Sequence, residues 1–589
     1  MDRTAFIVVS ICVFLLYLTW PSPLPPSQQS NSGTNSISEP SINSATKQTS
    51  PTTNTALPVD TDSIPPVALE SEKLVSLNTE NSIFTFTSAG GLKSIGLKQH
   101  KADPSSRTNN NIIYLNHGAK LPVFSLGGID DSEFSMKNDD NWLTMTSTNQ
   151  AGIRITKKFT ISTNYLLKTS IKLENTTDKP IILRSSTLNL GTAMPLTVPD
   201  NQSSWGVQFY NGEEMEEIDE GWFANRTLGC IPGTPRSLYT SNPLIGITTN
   251  NWTGIHNRFF AITTMPMQQL SGAIAHSKQT GVDQLNNQPT DGQYIHSTGI
   301  LASFKFPAVE LNAGQALENK YSTYAGPKEY RTLVQLGIKY KNSLQSIMDF
   351  DGFFGFFARV LLRSMNGLNS WGLSYAWSII VITIIIKLLF FPLTRSSTRS
   401  MKRMSAYQPQ MAEIREKYKS DPQKMNKKTM EFMREHKINP MGSCLPMLIQ
   451  LPIFLGYFYM LRSAVELRGA EFLWARDLSQ SDTIAYIGEF PINPLPVIMT
   501  ITMILQMRMT PISPTMDPVQ QKMMKFMPLM FAFIMYYFPS GLTLYWTVSN
   551  ILTIIQTKIT RDIVVEIPNA NSANSALAKP IKAKNKRKK

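Results

Sequence analysis

The sequence is poor in the residues that most covalent and metal chemistry requires. Its 589 residues include three cysteines and six histidines. Cys12, Cys230 and Cys444 fall in three different kinds of segment. No two share a compartment, which excludes a disulfide framework and a cysteine metal site. A GxxxxGK[ST] loop, an HExxH helix and a GxSxG elbow are all missing, so nothing announces an ATPase, a metalloprotease or a serine hydrolase. His256 and His296 are isolated in sequence, without a paired acid. No catalytic residue, cofactor or metal is therefore expected. Carboxylates are missing from the middle of the C-terminal apolar segments, which weakens a proton- or cation-coupled transporter. Acid is in deficit overall, with 42 Asp plus Glu against 56 Lys plus Arg and a net charge of +14.

What is present changes character along the chain. Residues 1–20 hold a short apolar run, Phe6 to Leu18, with no A-x-A-like site after it, and Trp20 suits an interface anchor. An uncleaved anchor is expected there, with a cleaved signal peptide as the alternative. Residues 21–66 are Pro, Ser, Thr and Asn, which bury too little to offset ordering entropy, so they form a disordered tether. Residues 67–345 carry runs such as Ser82–Thr87, Trp142–Thr146, Gly152–Thr156 and Leu166–Lys172, alternating with period two between Gly, Asn, Asp and Pro clusters. They predict a large β-sandwich. In residues 346–366, Phe350, Phe353, Phe354, Phe357, Val360 and Leu361 follow helical spacing. This is either an interfacial amphipathic helix or a buried helix at the base of the β-domain.

Residues 367–561 supply five more candidate spans, at about 371–393, 444–461, 493–508, 523–538 and 542–557, giving six in all. Several fall short of the roughly 20 apolar residues that cross a hydrocarbon core. Either their ends lie a few residues further out, or the protein thins the bilayer locally. Between the first two of these five spans, residues 396–439 are basic and read as a helical hairpin. Met404, Tyr407, Met411, Ile414 and Tyr418 form one apolar face, Pro409 marks a kink and Ser420-Asp421-Pro422 the turn. Its methionines serve packing, promiscuous apolar partners, or both. Residues 562–589 are a basic disordered tail suited to anionic lipid or to ribosomal RNA. By contrast, Glu466, Glu471, Asp477, Asp482 and Glu489 outweigh Arg468 and Arg476 between the third and fourth spans. Positive-inside then puts both termini and the hairpin in the cytoplasm and the β-domain outside.

Lys387 is the most telling residue, set within Ile379-Ile-Val-Ile-Thr-Ile-Ile-Ile-Lys-Leu-Leu-Phe-Phe-Pro392. A cation at the membrane centre costs about 2.5–3.5 kcal/mol unless it meets water or a partner. It either snorkels to the headgroups or faces a wetted concavity. Thr383 one turn earlier, Gln450 in the third span and Thr547, Ser549, Asn550, Thr553 and Gln556 in the last favour the concavity.

Three long strings point to one family. Asn439-Pro-Met-Gly-Ser-Cys-Leu-Pro-Met-Leu-Ile-Gln-Leu-Pro-Ile-Phe454 resembles the third-span signature of the YidC/Oxa/Alb insertases. Asp517-Pro-Val-Gln-Gln-Lys-Met-Met-Lys-Phe-Met-Pro528 and Phe538-Pro-Ser-Gly-Leu-Thr-Leu-Tyr-Trp-Thr-Val-Ser-Asn550 resemble its fifth- and sixth-span motifs. The anchor plus large domain is similar to the Gram-negative form, whose periplasmic β-supersandwich is mutarotase-like. The resemblance implies an all-α core of five spans, six with the anchor, and no enzyme activity. It puts Lys387 at the position of the family's groove arginine, with Thr383, Gln450, Ser549 and Asn550 as further groove residues. Substrate contact is implied for Leu451, Pro452, Phe454, Ile534, Tyr537, Tyr545 and Trp546. Implied partners are nascent inner-membrane proteins, the Sec translocon, the ribosome, the signal recognition particle receptor and anionic lipid, without DNA.

Overall fold

The computed structural model describes residues 72–104, 111–162, 165–196, 204–225, 233–244, 246–282, 298–436, 441–509 and 518–560. The expected anchor, tether and basic tail lie outside these residues, as do Cys12, Cys230 and His296. The side chain of Cys444 is likewise outside the description. The chain divides into two compact units, one β-rich and one helical.

In the β-rich unit, a nine-stranded antiparallel sheet runs Met215–Asp219, Gly206–Tyr210, Trp252–His256, Phe260–Pro266, Ala316–Pro327, Leu166–Asn175, Ile153–Ile161, Trp142–Thr148 and Ser135–Asn138. A five-stranded sheet runs Leu238–Thr240, Ile274–Gly281, Thr298–Phe306, Ser186–Ala193 and Leu126–Gly127. The strands Ser186–Ala193 and Thr298–Phe306 lie against the nine-stranded sheet at Gly206–Tyr210, Trp252–His256 and Phe260–Pro266. Period-two patterning explains the arrangement: Ile153, Ile155 and Phe159 point inward while Arg154 and Lys158 point out. A four-stranded sheet, Leu74 to Leu115, adds Phe84, Phe86 and Leu92 to the core. Two helices complete the unit, α1 (Glu220–Ala224) and α2 (Tyr330–Tyr340).

Lys157 shares the inward face of its strand with those apolar residues, and its ammonium is fully buried. Its Nζ lies 2.5 Å from Asp130 Oδ2 and donates to the carbonyls of Gly90 (2.7 Å) and Phe124 (3.0 Å). Asp130 Oδ2 also accepts from the Leu126 amide at 2.7 Å. Burial raises the Asp130 carboxyl and lowers the Lys157 ammonium from their ordinary values, and their mutual attraction opposes both shifts.

The helical unit contains α3 (Gly352–Ser370), α4 (Tyr375–Leu389), α5 (Phe391–Ala406), α6 (Gln408–Lys417), α7 (Pro422–Glu435), α8 (Met441–Ser463), α9 (Pro494–Met509), α10 (Pro518–Met535) and α11 (Ser540–Ile559). Among the described residues, no single helix is long and apolar enough to cross a membrane alone. The α4–α5 pair meets that test together but bends by 59°. The sequence predicts one span over 371–393. The helix instead breaks at Phe390, because Pro392 has no amide to continue the ladder and sits in the first turn of α5. The 15 residues of α4 reach about 22 Å at 1.5 Å per residue, against a core of about 30 Å. The 20 residues of α11 would reach far enough, but Ser, Thr, Asn and Gln interrupt its apolar character.

A second proline break, at Tyr407 before Pro409, separates α5 from α6. Asp421 caps α7, its side chain accepting from the Lys424 amide at 3.0 Å. Met404, Tyr407, Met411 and Met433 pack together with Phe432 against them.

Helix α3 turns a different face inward from the one its phenylalanines suggest. Gly355, Ala358, Leu361, Leu362 and Met365 are buried, while Phe353, Phe354 and Phe357 are only half-buried and Val360 is exposed. Small residues let backbones approach, and the same device recurs on α8. A Cβ on Gly456 would stand 2.7 Å from Phe357 Cβ.

Candidate functional site

Three helices meet at Lys387, which lies in the last turn of α4. Its Nζ donates to Thr553 Oγ1 on α11 at 3.0 Å and to Gln450 Oε1 on α8 at 3.4 Å. Gln450 in turn donates through Nε2 to Ser549 Oγ at 3.2 Å and to the Tyr545 hydroxyl. Gln556 Nε2 donates to the main-chain carbonyl of Lys387 at 3.1 Å. The ring of Tyr545 stacks on Tyr457 of α8 at 4.4 Å. One cation thus ties α4, α8 and α11 through neutral oxygens. No carboxylate pairs with it among the described residues. An ammonium has three protons to donate, and two have partners here.

Of the expected groove residues, Lys387, Gln450 and Ser549 meet in this cluster. Thr383 and Asn550 do not. The Thr383 hydroxyl is buried and donates to Ile379 O within its own helix at 2.6 Å. Asn550 faces α9 instead, donating to Thr502 Oγ1 at 3.2 Å. It follows Ser549 by one position, and neighbours in a helix point about 100° apart. Thr553 and Gln556, which the sequence marks as polar residues of the concavity but which the family resemblance does not place in the groove, contact Lys387 directly. The signal was in the spacing: Tyr545, Ser549, Thr553 and Gln556 follow i, i+4, i+8, i+11 along one helix face.

The expected substrate-contact residues separate into two environments. Leu451, Ile534 and Tyr537 are exposed, and Pro452 is partly so. The Phe454 ring meets Trp546 edge-on at 4.8 Å, and Trp546 also meets Phe531 at 5.2 Å. Tyr545 stands apart: it is 1% exposed, because its hydroxyl is drawn inward to Gln450. Around the cluster α10 presents Phe526, Leu529, Met530 and Phe533 outward, and α9 presents Val497, Ile501 and Leu505. Exposed apolar faces on several neighbouring helices suit lipid rather than water.

Residues 90–363 match the model of the YidC periplasmic domain, and residues 367–566 match that of the 60 kDa inner membrane protein. A curated protein of Syntrophus aciditrophicus, named membrane protein insertase YidC, is 30% identical over 94% of this chain and 98% of its own. This chain belongs to the YidC membrane protein insertase family. Within the family, the Geotalea daltonii protein of the same name is 32% identical over 84% of this chain and 88% of its own. The Geobacter sulfurreducens YidC is 40% identical over 306 residues, so the match spans about half of each protein, 52%. Among solved structures, an active YidC insertase with its first transmembrane domain resolved aligns over 86% of this chain and 96% of its own. Sequence identity there is 17% and the TM-score 0.32. The matched YidC models assign the helical unit to an inner membrane protein and the β-rich unit to its periplasmic domain.

Proposed function

We propose that this chain inserts hydrophobic segments into the inner membrane and helps them fold, through a polar, positively charged groove built around Lys387. The observation that carries the reading is the single cation held by neutral Thr553 and Gln450 at the meeting of three helices. A cation kept for structure alone is best served by a carboxylate or by reaching the headgroups. One left with neutral partners keeps its field and can attract the acidic, hydrophilic tail of a client. Such a tail then escapes part of the desolvation penalty of crossing hydrocarbon. The client's apolar segment slides out along Leu451, Pro452, Phe454, Ile534, Tyr537 and Trp546, driven by burial at about 25 cal/mol per Å². The reaction is physical rather than covalent and uses no cofactor.

The same reading takes the chain as six spans with both termini and the α5–α7 hairpin in the cytoplasm, on the strength of the loop charges. Short helices such as α4 and α9 are consistent with a locally thinned bilayer. The hairpin and basic tail are the proposed docking points for the ribosome, the signal recognition particle receptor and anionic lipid. Work beside the Sec translocon is part of the same proposal.

The test is insertion of a short single-span protein with an acidic outer tail into liposomes holding the purified chain, scored by protease protection. Lys387→Ala should lose at least about tenfold in insertion rate, the equivalent of 1.4 kcal/mol, while Lys387→Arg keeps it. Equal insertion by wild type and Lys387→Ala would reduce Lys387 to a snorkelling residue.

A further inference from the structure

Between α8 and α9 the chain builds a small structure that buries two carboxylates and leaves several large apolar groups exposed. Asp477 is buried, its Oδ1 accepting from the Gly469 amide (3.0 Å), the Ser479 amide (2.8 Å) and the Ser479 hydroxyl (2.7 Å). Asp482 is buried too, accepting from the Leu495 amide at 2.6 Å and from the Trp474 indole at 2.9 Å. With these two acids used internally, the exposed charges left on the loop are Glu471, Arg476 and Glu489, beside a larger apolar surface.

A hairpin, Ala485–Ile487 paired with Phe490–Ile492, stands out from this base. Gly488 opens its two-residue turn with φ at +63°, which the tight turn requires. Every residue from 484 to 490 is exposed, on both faces of the hairpin. Ile484, Tyr486, Ile487 and Phe490 are among them, Ile487 at 72%. A two-stranded hairpin this exposed is marginal in water. This one is nonetheless held firmly at its root. The Tyr536 hydroxyl donates to Pro491 O at 2.6 Å, and Asn493 Nδ2 donates to Tyr536 O at 2.8 Å. The Phe490 ring stacks on Tyr536 at 5.2 Å at the base of the blade, and the exposed apolar groups beyond it, Ile484, Tyr486 and Ile487, need an occupant.

We propose that this hairpin lies in the membrane–water interface and anchors that end of the helical unit to lipid. The proposal rests on the reading that the helical unit is embedded in the inner membrane. Continuity argues for lipid as the occupant. The hairpin ends at Ile492 and α9 begins at Pro494, so the blade's tip lies within about 20 Å of a helix end at 3.3 Å per residue. Trp371 and Trp377 around the start of α4 and Leu473 and Trp474 in the loop itself are also exposed, and the Trp377 ring lies 6.1 Å from Phe472. Tryptophan and tyrosine gather at the headgroup level, where an amphipathic ring meets both phases. Glu489 at the turn sets the depth. A carboxylate at the tip disfavours hydrocarbon and holds the blade among the headgroups.

The test places an environment-sensitive fluorophore on full-length protein in liposomes, with Cys12, Cys230 and Cys444 replaced by Ser. Single labels go at Ile487→Cys, at Ile484→Cys and at two controls. Phe533→Cys, 83% exposed on α10, reports the embedded helix surface. Ile182→Cys, 69% exposed on the β-rich unit, reports water. Nitroxide lipids labelled either near the headgroup or deep in the acyl chain serve as quenchers. The hairpin labels should be quenched roughly twofold more by the shallow quencher than by the deep one. Phe533→Cys should be quenched by lipid as well, and Ile182→Cys not at all. Hairpin labels that behave like Ile182→Cys while Phe533→Cys is quenched would overturn the anchor alone. An unquenched Phe533→Cys would overturn the embedding as well. Hairpin labels unquenched by lipid but shielded as protein per liposome rises would assign the blade to a second copy and overturn the lipid assignment.

Discussion

Replacing Lys157 and Asp130 together, by Met and Leu, should destabilise the β-rich unit, although removing a buried ion pair whole is often neutral or even stabilising. The difference lies in what else the pair holds. Lys157 donates to the carbonyls of Gly90 and Phe124, and Asp130 accepts from the Leu126 amide. The double replacement orphans three buried main-chain groups, each costing about 1–3 kcal/mol without a partner. The expected loss is therefore at least about 3 kcal/mol. Asp130→Asn alone leaves a buried, uncompensated ammonium and should cost about 3–5 kcal/mol. At roughly 2 °C per kcal/mol for a unit of this size, both variants should melt at least about 6 °C below wild type. Thermal unfolding of the full chain in detergent, followed by the far-ultraviolet signal of the sheets, measures it. A double variant as stable as wild type would refute the reasoning, because the main-chain groups would then have found other partners.

Three further outcomes follow from the geometry. Burial, reinforced by the Lys328 ammonium 3.2 Å from Nδ1, holds the His256 imidazole well below its ordinary range. The folded state then refuses a proton that the unfolded state accepts. The stabilisation is present above about pH 6.5 and is lost below it at up to about 1.4 kcal/mol per pH unit. Urea unfolding between pH 7 and pH 5 should show a steeper slope in wild type than in His256→Asn, where the lowered His117 still contributes. Gly456→Ala would bring a methyl against Phe357 and force α3 off α8, at about 1–3 kcal/mol, read as a lowered melting temperature in detergent. Asp421→Ala removes the cap of α7 and should cost about 0.5–2 kcal/mol, seen as faster amide exchange over residues 422–426.

Much of the β-rich unit was legible because alternation with period two is a local signal. Ser82–Thr87, Trp142–Thr148, Ile153–Ile161 and Leu166–Asn175 are all strands. The same alternation puts Lys157 on the inward face, but its partner Asp130 lies in a loop 27 residues away, and no local pattern links them. Lys387 and Gln450 were legible as polar residues in apolar surroundings. Which residues of α11 join them depends on helix rotation, and Asn550 differs from Ser549 by a single position. The break at Phe390 could have been read from Pro392, whose missing amide is as local a signal as any. Asp477 and Asp482 count as loop charge in the sequence, yet both are buried, because the amides, hydroxyl and indole that the loop folds onto them are invisible to composition. The buried face of α3 escaped for a related reason. Where small residues allow close approach, contact is made by what is absent from the side chain.

The clamp on Lys387 also divides the helical unit mechanically. One residue is gripped at two points by the same helix, its ammonium by Thr553 and its carbonyl by Gln556, one turn apart. Both grips lie on the α4 side of the break at Phe390. The fulcrum therefore sits beyond the fixed point. A swing of the α5–α7 arm about Phe390 would have to break the Lys402 Nζ bond to Thr560 O (2.9 Å), but it would not have to move either grip on Lys387.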